Sequence, residues 1–146
     1  MNWFLRTFDE LSLRQLYQLL KLRQDVFVVE QNCPYLDADG DDEQAEHLFA
    51  RSESGQMVAY ARLYKATEQQ PYSRIGRVLT AQEVRRCGLG KELMQRAIDY
   101  LEQRTEKAPI RVGAQVYLLQ FYKDFGFKPI GEEYLEDGIP HIDMER

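Results

Sequence analysis

The residue types and spacing between Arg85 and Lys91 are those of an anion-binding turn. The sequence there is Arg-Arg-Cys-Gly-Leu-Gly-Lys, between an apolar run at 75–80 and a segment with helical apolar spacing. Because Gly88 and Gly90 lack a Cβ, a bulky anion can approach the main chain closely. A helix start adds unpaired N–H donors and partial positive charge. The residues are those of a pyrophosphate cradle, and they are equally consistent with turn formation alone.

Two other phosphate-binding loops do not match this turn. A Walker A loop needs a glycine where Arg85 stands and a Ser or Thr where Glu92 stands, so magnesium-dependent nucleotide hydrolysis is disfavoured. A dinucleotide-binding G-x-G-x-x-G fingerprint needs a further glycine at position 93, which is Leu93. Neither loop type accounts for the motif.

The order of motifs resembles that of the GCN5-related N-acetyltransferases (GNATs). The family signature [QR]-x-x-G-x-[GA] is matched by Arg85, Gly88 and Gly90. Downstream, after a short apolar strand, the segment 121–127 (Phe-Tyr-Lys-Asp-Phe-Gly-Phe) resembles the family's (L/F)Y-x-x-x-GF sequence. Likeness to the ElaA-type members covers nearly the whole chain and is carried by residues 23–35, Asp37, Asp39 and 136–142.

This resemblance implies an α/β fold of mixed α+β character, the acyl-CoA acyltransferase fold. Its twisted sheet is mixed and mostly antiparallel, with helices on both faces, and strands 75–80 and 110–114 are parallel and splayed. The implied co-substrate is acetyl-CoA, and Gln115 stands where the wider family often has Asn, so an amide is kept. The residues implied to bind the coenzyme are Val78, Leu79, Thr80, Arg85, Arg86, Cys87, Gly88, Leu89, Gly90, Lys91, Gln115 and Tyr122.

Acetyl transfer from a thioester to an amine needs a proton donor for the departing thiolate. By the resemblance, Tyr122 is the expected general acid, although its aromatic surroundings taken alone favour a core side chain. A phenol has a pKa of about 10, close to that of an alkyl thiol, so proton transfer is nearly balanced. A backbone N–H at the end of strand 75–80 is the expected donor to the developing oxyanion.

The base that accepts the amine proton is open between three side chains. Strand 75–80 carries no carboxylate, so the strand-borne Glu of many family members is absent. Glu30, His47 and His141 are candidates, acting directly or through a water. Histidine side chains in general can accept a proton near neutral pH, which suits His141 to this role. A lone histidine is more often a structural hydrogen-bonding group, and this interpretation is favoured for His141.

The acidic segment 37–46 has two competing interpretations. It superficially resembles an EF-hand, but glycine stands at loop position four instead of six and Leu48 stands at position twelve. No metal is expected there, and the two histidines lack ligand spacing. The segment is either an acidic lip that attracts a cationic amine or a solvated charge run.

Composition is that of a single globular domain spanning residues 1–146. The net charge of −5 disfavours nucleic acid as a partner. No apolar run is long enough for a membrane span, and the polar-interrupted residues 1–8 do not form a secretory signal. Two cysteines are too few for a disulfide framework. We expect a cytoplasmic protein with no nucleic-acid or membrane partner, and a homodimer is compatible with the sequence.

Periodicity and turn residues predict the order of elements. A capping box at Ser12 and Gln15 begins a helix with an apolar face to Val26 or Phe27, and the acidic stretch 30–46 is a loop with a short helix. A second helix follows the phosphate loop. The remaining predicted elements are strands at 3–8, 47–51, 57–64, 74–80, 110–114, 130–134 and from His141, and a helix at 116–125.

The function predicted from these features is acetyl transfer from acetyl-CoA to a small-molecule or peptide amine through a ternary complex. A catalytically weak acyl-CoA-binding regulatory module is the alternative from another class. A nucleotide-binding regulator is a third interpretation, in which ATP would compete with acetyl-CoA. The sequence leaves the identity of the amine open.

Overall fold

The structure, a computed structural model, describes residues 1–105 and 107–146. The strands are β1 (Asn2–Thr7), β2 (Glu46–Arg51), β3 (Met57–Tyr64), β4 (Ser73–Thr80), β5 (Ile110–Gln115), β6 (Lys128–Pro129), β7 (Tyr134–Glu136) and β8 (Ile139–Glu145). The α-helices are α1 (Leu13–Arg23), α2 (Leu89–Arg104) and α3 (Leu119–Lys123), and a π-helical segment (Gln24–Glu30) extends α1. Short 3₁₀ turns lie at Asp42–Gln44, Gln82–Val84 and Val116–Leu118.

The strands form one sheet in the order β1-β2-β3-β4-β5-β8-β6, and β7 also pairs with β8. Only β4 and β5 are parallel among the strand pairs of the described residues. In β3, every residue from Met57 to Leu63 is buried. Both faces of this central strand are therefore covered, and α1 and α2 both pack on it. The mixed, mostly antiparallel sheet with flanking helices confirms the predicted fold class.

The apolar residues that recur at helical spacing in the second helix form its buried face. Its buried side chains are Leu89, Leu93, Met94, Ala97, Ile98 and Leu101. Removing a large aliphatic side chain from water contributes about 1.5–3 kcal/mol, so this face holds α2 firmly on the sheet. The predicted capping box of α1 is also present, because Gln15 N–H donates to Ser12 Oγ at 3.0 Å and Ser12 N–H donates to Gln15 Oε1 at 2.9 Å.

A bulge in β4 accompanies the opening of the sheet. Between the pairs Tyr60–Leu79 and Arg62–Gly76, Arg77 and Val78 oppose the single residue Ala61. Arg77 has a left-handed φ of 48°, and such a bulge bends and twists its strand. The parallel pairing of β4 with β5 comprises three residue pairs and ends at Ile75–Val112. The two strands then part, which confirms that they are parallel and splayed.

Two predicted elements differ from the structure. The strand expected at 130–134 is wrong, since that stretch separates β6 from β7 along the edge of β8. Ile130 N–H still donates to Asp143 O at 2.9 Å, but Gly131, Glu132 and Glu133 are exposed, and no apolar burial holds them on the sheet. The helix expected at 116–125 is a 3₁₀ turn followed by α3, which ends at Lys123.

Buried ion pairs replace both interpretations for Asp37 and Asp42 of the acidic segment. Arg23 is fully buried; its Nε donates to Asp37 Oδ2 at 2.8 Å and its Nη1 donates to Asp42 Oδ1 at 2.6 Å. A buried guanidinium is tolerated only when paired with carboxylates and hydrogen bonded. These two carboxylates are neither an acidic lip nor a solvated charge run.

Two further arginines complete this network. Arg62 donates to Asp39 Oδ2 at 2.8 Å and to Asp42 Oδ1 at 3.0 Å, and hydrogen bonding to Arg62 lowers the pKa of Asp39 well below its usual value. Arg77, in the β4 bulge, donates from Nε to Asp37 Oδ1 at 2.9 Å. The segment therefore anchors α1, β3 and the bulge to one another.

No helix among the described residues is long and apolar enough to cross a membrane.

Candidate active site

The glycine-bearing turn connects β4 to α2 through left-handed backbone. Arg86 has φ 68° and Gly88, the N-cap of α2, has φ 82°. The side chain of Leu89 is buried, whereas Arg86, Cys87, Gly88 and Lys91 are exposed. A buried leucine thus anchors the turn to the core, and the left-handed residues direct its main chain toward solvent.

The main-chain amides of this turn are free to bind an anion. Within residues 1–105 and 107–146, the N–H groups of residues 86–91 have no hydrogen-bond acceptor. Glu92 N–H is the first in the turn to bond, to Gly88 O at 3.1 Å. Unpaired N–H groups at the start of a 16-residue helix form the donor set that a phosphate requires.

Arg85 is held by two groups outside the turn. Its Nη1 and Nη2 donate to Glu30 Oε2 and Oε1 at 2.6 and 2.9 Å. Its Nε and Nη2 also donate to Thr80 O at 3.2 and 3.0 Å. Glu30, a predicted base, therefore has both carboxylate oxygens bonded to Arg85.

The end of β4 presents main-chain groups to the gap between β4 and β5. Ala81 N–H donates to Val58 O in β3 at 2.8 Å. Since amide directions alternate along a strand, the amides of Val78 and Thr80 point to the opposite edge, where β5 has already parted from β4. Leu79 is buried and pairs with Tyr60 of β3. Of the three predicted residues, Val78 and Thr80 thus offer backbone donors to the gap.

Tyr122, the predicted general acid, lies in α3 within an aromatic cluster. Its ring centroid is 5.2 Å from that of Phe121 and 5.9 Å from that of Phe127, and the residue is 6% exposed. Burial, with a smaller effect of Tyr117, raises the pKa of Tyr122 to about 12. The phenol therefore carries its proton throughout the neutral range. Within the part of the chain that the structure describes, the Tyr122 hydroxyl has no hydrogen-bond partner. Its oxygen is not completely buried.

The raised pKa of Tyr122 predicts a loss of stability at alkaline pH. The folded state holds the proton more tightly than the unfolded chain, so this stabilisation is complete below pH 10 and disappears as the pH rises toward 12. Between pH 9 and pH 11 the contribution to the free energy of unfolding should fall by about 1 kcal/mol. Urea titrations of wild type and Tyr122→Phe at both pH values measure this fall in the free energy of unfolding. An equal fall in the two proteins would show that Tyr122 does not have a raised pKa.

Gln115 and His141 are brought together as a cross-strand pair of β5 and β8. Directly opposite residues share one face of a sheet. His141 is 7% exposed, its Nδ1 donates to Ile139 O at 2.7 Å, and its Nε2 lies 3.4 Å from Glu136 Oε2. A carbonyl oxygen only accepts hydrogen bonds, so Nδ1 carries a proton, and Nε2 is the ring nitrogen that faces Glu136.

The third candidate base, His47, has a structural role. It is fully buried in β2, where Nδ1 lies 2.6 Å from Tyr60 Oη and Nε2 lies 2.9 Å from Asp42 O. Burial lowers the pKa of His47. Both ring nitrogens are occupied by protein groups, which leaves neither for an amine.

Sequence reasoning missed Gln31 and Arg77. The Gln31 side-chain amide lies 3.5 Å from that of Gln115, which ties the end of the π-helical segment to the end of β5. Gln31 does belong to the 23–35 segment that carries the family resemblance, but its contact is 84 residues away. Arg77 gave no signal, because a charged residue in a strand does not indicate a bulge.

Metal ligation and cysteine chemistry receive no support from the side chains that the structure describes. In residues 1–105 and 107–146 there is no group of three or more His, Cys, Asp and Glu side chains placed to hold a metal ion. The buried Cys33 Sγ donates to Asp137 O at 3.5 Å, and the exposed Cys87 Sγ donates to Val84 O at 2.6 Å.

A splayed parallel strand pair and free amides on a glycine turn at the start of a helix are features that define a class of acyltransferases. Consistently, the family model described as "Acetyltransferase (GNAT) domain" matches residues 25–146. The chain belongs to the GNAT acetyltransferase family.

Individual relatives agree with this assignment. The chain is 44% identical over 139 residues to protein ElaA of Escherichia coli, covering 94% of this chain and 91% of that protein. The crystal structure of E. coli ElaA matches with a TM-score of 0.93 over 99% of this chain and 98% of its own. The crystal structure of an acyl-CoA N-acyltransferase from Pseudomonas aeruginosa matches with a TM-score of 0.94 at 41% identity, over 100% of this chain and 99% of that one. The predicted ElaA-type resemblance is confirmed.

Proposed function

We propose that this protein transfers the acetyl group of acetyl-CoA directly to a primary amine while both substrates are bound. The free N–H groups of residues 86–91, at the start of α2 and beside the gap between β4 and β5, carry this proposal. They form a site for a diphosphate next to a gap edged by main-chain donors. The acyl-CoA N-acyltransferase of P. aeruginosa, which has the same fold, supports a coenzyme A thioester as the donor.

The described residues fit such a coenzyme. Amides 86–91 would hold its diphosphate, with Arg86 and Lys91 as exposed cations at the rim. The main chain of Val78 and Thr80 would pair with its amide-containing arm along β4. The coenzyme supplies an acetyl group already activated as a thioester.

Three groups of the chain then serve the transfer. The Val78 N–H would stabilise negative charge that develops on the acetyl oxygen. The Tyr122 hydroxyl, which is protonated at neutral pH, gives its proton to the departing thiolate as the carbon–sulfur bond breaks. The proton lost by the amine goes to His141 Nε2, directly or through a water. Glu30 is the weaker candidate, since Arg85 occupies its carboxylate.

One observation favours the alternative of a weakly catalytic acyl-CoA-binding module. Strand β4 carries no carboxylate, and Glu30, the acidic candidate base, is bonded to Arg85. A module without an effective base would bind the coenzyme and turn over slowly.

Thiol release from acetyl-CoA in the presence of a panel of primary amines tests the proposed function. The panel should include a polyamine, free amino acids, an aminoglycoside and a lysine peptide. We expect release that depends on at least one amine and saturates with it. Coenzyme binding without amine-dependent release from any of them would favour the binding module. Competition by ATP for acetyl-CoA would indicate a nucleotide-binding regulator.

A further inference from the structure

The chain at the end of the π-helical segment contacts the ends of β4 and β5 and the turn between β7 and β8. Glu30 bonds to Arg85, just beyond β4, and Gln31 lies against Gln115 at the end of β5. Cys33 Sγ donates to Asp137 O in the turn between β7 and β8. Adjacent residues, Glu30 and Gln31, thus contact the two sides of the gap in which the coenzyme is proposed to lie.

The contact at Arg85 is the strongest of these. Both carboxylate oxygens of Glu30 accept from the two terminal nitrogens of the guanidinium, at 2.6 and 2.9 Å. Such paired, charge-assisted bonds fix orientation as well as distance, which a lysine could not do. The same guanidinium donates to Thr80 O. Arg85 therefore joins three elements, namely the end of β4, the glycine turn and the end of the π-helical segment.

Arg85 lies directly before the amides of residues 86–91, so the contacts of its side chain can hold the turn that carries them. Arg85 directly precedes Arg86, whose left-handed φ of 68° is uncommon for a residue with a side chain. The turn has no internal hydrogen bonds from the N–H groups of 86–91 to hold its shape within the described residues. The side chain of Arg85 and the buried Leu89 are then the anchors on its two sides.

We propose that Glu30 is a positioning residue for the coenzyme-binding turn and acts through Arg85. Its carboxylate holds the guanidinium, which sets the direction of the amides at 86–91 and links the turn to the segment beside β5. This inference rests on the proposed function and assigns Glu30 a role other than general base. It follows that the charge of Glu30 matters for coenzyme affinity and not for proton transfer.

Glu30→Gln keeps the side-chain shape and removes its charge, so it tests the proposal. We expect the acetyl-CoA Kd from calorimetry, and its KM, to rise about five- to tenfold. The pH profile of kcat should keep its shape. Arg85→Lys should weaken binding similarly, and the two changes should be non-additive in the double variant. The matched control is Asp25→Asn, which removes the Lys21–Asp25 ion pair of the same helical segment without touching the turn, and should leave the Kd unchanged.

Backbone NMR of the free protein provides a readout that needs no coenzyme. The order parameters of amides 86–91 should be lower in Glu30→Gln than in wild type and unchanged in Asp25→Asn. Unchanged order parameters and Kd in Glu30→Gln would overturn the proposal. A lower kcat with loss of the acidic limb of the pH profile at unchanged Kd would also overturn it, since that is the behaviour of a base. If wild type failed to bind acetyl-CoA but the difference in order parameters held, the proposed function would fail and the positioning of the turn by Glu30 would stand.

Discussion

Tyr122→Phe is expected to lower kcat by about 10²- to 10⁴-fold, the usual contribution of a positioned general acid. The substitution removes one oxygen and retains the ring that packs against Phe121 and Phe127. Affinity for acetyl-CoA should therefore remain that of wild type. Steady-state thiol release with a saturating amine gives kcat, and calorimetry gives the Kd.

Tyr117→Phe is the matched control for this prediction. Tyr117 lies in the preceding 3₁₀ turn, and its side chain is 74% exposed, so it loses a hydroxyl from the same stretch of chain without affecting the gap. We expect its kcat to equal that of wild type. A Tyr122→Phe enzyme with undiminished kcat would show that the tyrosine is a core side chain, the interpretation that its aromatic neighbours alone suggest.

Gly88→Leu should weaken acetyl-CoA binding by about 100-fold or more. The reason is that the backbone conformation of Gly88 directs several N–H groups toward the diphosphate, with which they would form charge-assisted bonds. At φ 82° a residue with a Cβ is strained. The chain relieves that strain by rotating the neighbouring amides away from their common direction. Equilibrium binding of acetyl-CoA, followed by calorimetry, measures the loss.

Gly40→Leu supplies the control for backbone strain. Gly40 has φ 85°, and a Cβ built there, as at Gly88, meets nothing within 4 Å. The two variants should lose similar thermal stability, whereas only Gly88→Leu should lose coenzyme affinity. If both bound acetyl-CoA as wild type does, the amides of residues 86–91 would not be the diphosphate site.

Local sequence was sufficient wherever the determinants lie close together in the chain. The capping box spans four residues, and the buried face of α2 repeats at helical spacing. The glycine turn combines two glycines with a helix start over a few positions. The strand expected at 130–134 was wrong: residues 131–133 belong to no strand, and Tyr134 begins β7 by pairing with His141.

Charged side chains show where local sequence was insufficient. The aspartates at 37, 39 and 42 read equally well as a substrate-attracting lip or as a solvated run, and the structure pairs them with arginines up to 40 residues away. Glu30 qualified as a base by its chemistry alone, and its partner Arg85 is 55 positions further along the chain. The type of a charged residue does not indicate which opposite charge the fold will bring to it.

By itself, therefore, the sequence determined the family, the order of the main elements and the glycine turn that precedes α2. Each of these depends on backbone conformations and apolar spacings that are encoded within a few residues. Only the tertiary structure decided which carboxylates are paired, where β4 bulges away from β5, and what holds Arg85. These features depend on contacts between distant segments, and such contacts exist only once the sheet has brought α1, β4 and β5 together.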